Sequence, residues 1–149
     1  MNLFKKQIKK PIIYTMSTCE YCKKVVKTLE DINMPFIEKD VDENRKEWNN
    51  VASITNLPTT PTLFYNKTYL CPIRDFNNPT QLIDILNFLK NQKINRDIPT
   101  FELIKTINYN MSIAFKSMQE AMNKLEQNTA GGHPMNNIKK EKDEHKSTD

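Results

Sequence analysis

The stretch Pro11-Ile12-Ile13-Tyr14-Thr15-Met16-Ser17-Thr18-Cys19-Glu20-Tyr21-Cys22 decides how the chain is read. A short apolar run opened by a proline reads as a buried strand, and Ser17 and Thr18 are residue types that cap a helix. From Cys19 to about Asn33 the apolar residues Val25, Val26, Leu29 and Ile32 recur at three- and four-residue spacing, with Lys23, Lys24, Lys27, Glu30 and Asp31 on the other side. That spacing predicts an amphipathic helix opening at the cysteines. The first N–H groups of a helix lack backbone partners and its dipole is positive there, which favours the thiolate, the form that attacks a disulfide.

Working outward, Pro35 ends the helix, residues 36–41 read as a second strand, and Trp48, Val51 and Ile54 mark a second helix over about 43–55. Residues 62–65 and 67–70 are β-favouring runs separated by Asn66 alone, which predicts a tight hairpin. Asn78 and Pro79 supply an N-cap and a first-turn proline for a third helix carrying Leu82, Ile85, Leu86 and Leu89 to about Lys90. The order βαβαββα over residues 1–92 implies an α/β domain with a mixed sheet covered by helices.

Residues 93–127 read as a linker and a long amphipathic helix starting near Pro99. Ile104, Met111, Met118 and Leu125 recur every seven residues, and Ile107, Ala114 and Ala121 follow three after the first three of them. Three uses fit such a stripe: docking on the parent domain, self-association, or recruitment of a partner protein. Residues 128–149 have little apolar content and are expected to be a disordered tail; His133 and His145 within it are expected to be solvated, not metal ligands.

Composition excludes several functions. Both glycines, Gly131 and Gly132, lie near the C-terminus, so the glycine loops that cradle phosphate in Rossmann and P-loop proteins are missing. The net charge of +4 is spread along the chain, and its densest cationic run is Lys5, Lys6, Lys9 and Lys10. We expect no nucleic-acid partner from so mild a balance. No apolar run approaches the roughly 18 residues of a membrane span, and the N-terminus lacks a secretion signal's apolar core, so a cytoplasmic protein is expected. Abundant Asn, Lys and Ile with scarce Gly fit an AT-rich genome, viral ones included, in which case a virion location also fits.

Cys19, Cys22 and Cys71 are an odd set, unlike a secreted disulfide framework. Structural zinc takes four ligands and one Cys-x-x-Cys pair supplies two, so no metal is expected. Redox chemistry remains: Cys19 attacks a disulfide and Cys22, one turn on, resolves the mixed disulfide. Glu20 works against this by raising the pKa of its neighbour. Cys71, at the end of the last strand, is expected to be a small buried hydrophobe, with a regulatory thiol near the active site or an intermolecular cross-link as the other readings. Pro61 opens the third strand although it cannot donate to a ladder. Two geometries fit it, a cis Thr60–Pro61 peptide that frees the Thr60 backbone for an extended substrate, or a trans proline at a strand edge.

These residues resemble the glutaredoxin family of the thioredoxin-like fold. The resemblance spans about residues 10–90 and rests on the strand 12–15, the site Thr18-Cys19-Glu20-Tyr21-Cys22-Lys23-Lys24, Asp40-Val41-Asp42, and Thr60-Pro61 followed by 63–67. It implies a thiol–disulfide oxidoreductase acting on protein disulfides or glutathione mixed disulfides. Cys19 and Cys22 would be catalytic, with Tyr21, Thr60, Pro61 and Asp75 binding glutathione or another thiol substrate. Glutathione is then the co-substrate and no cofactor is tightly bound. Departures from the family are Met16 in place of a lysine, and Cys71-Pro72-Ile73-Arg74-Asp75 in place of Gly-Gly-x-Asp-Asp, of which only Asp75 matches. Glu20 replaces the usual proline, and some members lacking that proline hold an iron–sulfur cluster between two chains with glutathione as co-ligand, a weaker expectation here. With Glu20 in that place the expected reduction potential lies at or below the glutaredoxin range of about −200 to −230 mV. The alternative is a thioredoxin-fold scaffold or partner-binding module with reduced or absent glutathione activity.

Overall fold

The computed structural model describes residues 9–131, so Lys5, Lys6, Gly132, His133, His145 and most of the expected tail lie outside the described residues. Its elements are β1 (Ile12–Thr15), α1 (Glu20–Asp31), β2 (Ile37–Asp40), α2 (Arg45–Thr55), β3 (Thr62–Tyr65), β4 (Thr68–Leu70), α3 (Pro79–Lys90) and α4 (Ile98–Ala130). The sheet order is β2-β1-β3-β4, with β1 parallel to β2 and antiparallel to β3, and β4 antiparallel to β3. This is the mixed α/β sheet of a thioredoxin-like fold.

Side chains alternate across a strand, and that alternation builds two cores. Ile13, Leu63 and Leu70 pack with Val25 and Leu29 of α1 and Leu82, Leu86 and Leu89 of α3. Tyr14, Phe64 and Tyr69 face the other way, with Trp48 and Val51 of α2 and with Ile98. Asn78 caps α3 through a hydrogen bond accepted from Gln81 N, 2.9 Å, with Pro79 in the first turn. The expected face of α1 is narrower than its spacing implies: Cys22, Val25 and Leu29 are buried, while Ile32 is exposed.

Two local features differ from expectation. The hairpin turn has two residues, because Lys67 joins Asn66 in it with φ of 58° and 44°. Positive φ at both positions is the mark of a type I′ turn, whose twist matches that of the strands. In the loop between β4 and α3, the β-branched Ile73 sits at φ 70°, a region costly for any residue with a Cβ.

The chain divides into two compact units, Met1–Ser112 and Ile113–Asp149. The first reaches past the expected boundary at 92 because the opening turns of α4 are held by buried charges. Asp97 caps this helix, accepting from Thr100 N at 3.0 Å, and hydrogen bonding to the Thr100 side chain, then to its backbone, holds the Asp97 carboxyl below the usual range. Arg74, at 1% side-chain exposure, pairs with Asp75 at 2.7 Å and with Glu102 at 2.6 Å; Glu102 is fully buried and Lys105 pairs with both carboxylates. Glu102 also accepts from Tyr69 N, and Lys105 and Arg74 donate to Tyr69 O, so the free edge of β4 is satisfied by side chains. Thr106 donates to Thr55 O at 2.6 Å, joining α4 to the end of α2. In the second unit every helical residue from Ile113 to Ala130 is exposed, and the helix runs three residues beyond its expected end at 127.

Removing one member of a buried ion set leaves charge uncompensated, a loss of roughly 3–5 kcal/mol. Glu102→Ala is expected to fall at the low end, about 3 kcal/mol in urea unfolding, because Asp75 still faces Arg74; a loss under about 1 kcal/mol would contradict this role. Ile73→Gly is expected to raise stability by about 0.5–1 kcal/mol, the relief of left-handed strain less the entropy added to the unfolded chain.

Candidate functional site

The site forms where β1 gives way to α1. A turn closed by Cys19 N donating to Met16 O at 2.9 Å carries Ser17 and Thr18, and the helix cap is Cys19 itself, not the polar pair before it. Its Sγ accepts from Cys22 N at 3.1 Å, so a sulfur occupies the place that a Ser or Asp oxygen usually holds. A backbone donor aimed at sulfur at a helix N-terminus stabilises a thiolate more than a thiol. Cys22 is 2% exposed, against a half-buried Cys19, and the two are joined as a disulfide with Cα atoms 5.2 Å apart.

Glu20 bears on Cys19 less than its position implies. Its carboxylate is bound by Lys23 at 2.6 Å, which lowers its pKa, and both side chains are open to solvent. The same pair removes Lys23 as help for the thiolate. What faces Cys19 from across the chain is backbone: the Thr60–Pro61 peptide is cis, and Thr60 O lies 3.7 Å from Cys19 Sγ. The structure therefore brings together Cys19, Cys22, Thr60 and Pro61. Tyr21 stacks its ring on Phe76 with centroids 6.4 Å apart, and its hydroxyl is buried without a hydrogen-bond partner among the described residues. Burial also pushes that phenol's pKa up.

Asp75 is placed differently from the other expected binding residues. One carboxylate oxygen accepts from Cys71 N at 2.8 Å and from Arg74, and the other meets Lys105 at 3.0 Å. Its charge is spent within the fold. Cys71 is buried as expected, beside Thr62 Oγ1 at 3.7 Å, and burial pushes its thiol pKa up.

Sequence reasoning missed the groove beside the pair. About 420 Å³ in volume, it is lined by Met16, Ser17, Cys22 and Val26 together with Lys23, Lys27, Glu30, Glu38 and Asp40. Val26, assigned to the core by its spacing, is half-buried there and supplies an apolar wall. Among the described residues no group of three His, Cys, Asp or Glu side chains converges as a metal site does.

Exposure ranks the cysteines, and burial also raises the thiol pKa of Cys71. Brief treatment of the reduced native protein with iodoacetamide is expected to label Cys19 first, with Cys71 labelled only after denaturation, as read by peptide mass spectrometry. Labelling of Cys71 at a rate near that of Cys19 would contradict the burial.

The geometry can be set against known proteins. The glutaredoxin family model matches residues 12–70, from β1 through β4 and including Cys19, Cys22 and Thr60-Pro61. Comparison with curated proteins returns no match. Over residues 12–70, by that match and by the dithiol it contains, the chain is similar to the glutaredoxin family.

Proposed function

We propose that the protein is a thiol–disulfide oxidoreductase whose main substrates are protein disulfides, with glutathione mixed disulfides as weaker ones. The observation that carries this is Cys19 Sγ at the N-terminus of α1, held by Cys22 N–H and facing Thr60 O. In the reduced enzyme the Cys19 thiolate attacks one sulfur of the substrate disulfide, forming a mixed disulfide and expelling the other sulfur as a thiolate, which takes a proton. Cys22 loses its proton and attacks Cys19 Sγ. The second substrate thiol leaves, and the enzyme is left with the Cys19–Cys22 disulfide. Two electrons pass to the substrate, and an external thiol, glutathione or a reductase's dithiol, restores the pair.

The preference for protein substrates rests on what surrounds the sulfur. An extended chain can pair with backbone at Thr60, and the groove beside Cys22 offers apolar surface with charges of both signs. A free tripeptide depends more on fixed charged anchors, and here Met16 supplies none while the Asp75 carboxylate is already bound by Arg74 and Lys105. The reading of the fold as a scaffold with idle cysteines has less support, since both sulfurs are placed for exchange.

The test compares wild type, Cys19→Ser and Cys22→Ser on a protein disulfide such as insulin and on a glutathione mixed disulfide. Cys19→Ser is expected to lose both activities to background. Cys22→Ser is expected to lose the first and keep part of the second, because a mixed disulfide can be cleared by external glutathione. Wild type that reduces the glutathione substrate faster than the protein one would reverse the proposed preference, and silence on both would refute the enzyme reading.

A further inference from the structure

Helix α4 meets the domain with its polar side. Glu102, Lys105, Thr106 and Tyr109 are buried or half-buried at three- and four-residue steps, fixed by the Arg74 pair and by the bond from Thr106 to Thr55 O. The apolar heptad residues lie on the other side: Ile104, Ile107 and Met111 are 51, 47 and 50% exposed. In the second unit the same seven-residue spacing continues through Met118 and Leu125, at 59 and 65%, with Phe115 and Met122 also exposed. In the first unit the stripe cannot turn inward without pulling Glu102 away from Arg74.

We propose that this stripe is a self-association surface that pairs with the same stripe of a second copy of the chain as a helical coiled coil. Four observations favour a second copy as the occupant. A seven-residue apolar repeat stays in contact over several turns only with a helix of the same period, and another copy has that period by construction. The positions flanking the stripe carry a single charge, Lys124, so like pairs with like without repulsion and a partner chosen by charge finds nothing to read. The exposed apolar residues amount to on the order of 800 Å², about what one partner contributes to a stable interface. Residues 131–149 carry Pro134, Met135 and Ile138 as apolar side chains, too few to cover the stripe. Most helical stability in proteins comes from packing of an amphipathic face, which a second helix would supply to this stripe.

The test is the mass of the full chain in reducing buffer, by sedimentation equilibrium over a broad concentration range. Wild type is expected at twice the single-chain 17.5 kDa. The double variant Met118→Glu with Leu125→Glu is expected to fall to one chain while keeping its cooperative unfolding and its disulfide-reducing rate, since neither residue belongs to the redox site. Lys116→Glu, on the side of the helix away from the stripe, is expected to stay dimeric. Wild type at single-chain mass throughout, a dimer that survives the double variant, or a dimer lost equally in Lys116→Glu would each overturn the proposal.

Discussion

Arg74 is a full charge at 1% exposure, and much of the first unit is arranged to make that tolerable. An isolated ion in a dry interior costs far more than any single contact returns, so its partners must be nearly complete. Asp75 and Glu102 supply the opposite charge, and Tyr69 O and Thr106 Oγ1 take further donors of the guanidinium. Burial lowers the pKa of such a group, but Cys71, Asp75 and Glu102 more than reverse the effect. Lys105 brings the set to two cations and two anions. These partners come from the loop after β4, from β4 itself and from α4, so one side chain joins an edge strand, a loop and a helix.

That arrangement explains which parts of the fold are legible in sequence. α1 and α3 are readable because their signals are local: apolar residues at helical spacing, Asn78-Pro79 at one start, two cysteines at the other. Even there a sulfur does the capping that Ser17 and Thr18 promised, since the backbone spends those residues on a turn. The Arg74–Glu102 pair joins residues 28 apart, and no periodicity reports it. A lone Glu in an amphipathic helix reads as a solvated face, so the polar side of α4 passes for its outside. Lys67 and Ile73 are hidden for a related reason: each adopts a left-handed backbone that sequence normally announces with Gly or Asn.

The candidate site divides along the same line. Cys19, Cys22, Thr60 and Pro61 converge because strand ends and helix starts place them, and those elements carry strong local signals. Asp75 matches the family pattern in type and position, yet its neighbours decide its use; with Arg74 and Lys105 on its two oxygens it serves the fold. Matching a residue to a family shows where it stands in the chain, whereas its free valences depend on contacts that only the folded structure contains. The groove beside Cys22 was unreadable for that reason too, since its wall is assembled from α1, β2 and the turn between β1 and α1.

The hydrophobic effect alone would have laid the stripe of α4 on the domain and left Glu102 in water. The reverse is stable because the two terms act over different ranges of helix. Buried charges at Glu102 and Lys105 fix the opening turns through contacts worth several kcal/mol if broken, whereas each apolar residue left exposed forgoes roughly 1–2 kcal/mol. Once the polar side is fixed inward, exposure of Ile104, Ile107 and Met111 follows from helical geometry. The repeat then extends for two more heptads through residues that no buried contact in the second unit explains. A heptad pattern that spans both a clamped and an unpacked stretch of helix does not take its period from the domain's core, and the proposed pairing with a second helix supplies one.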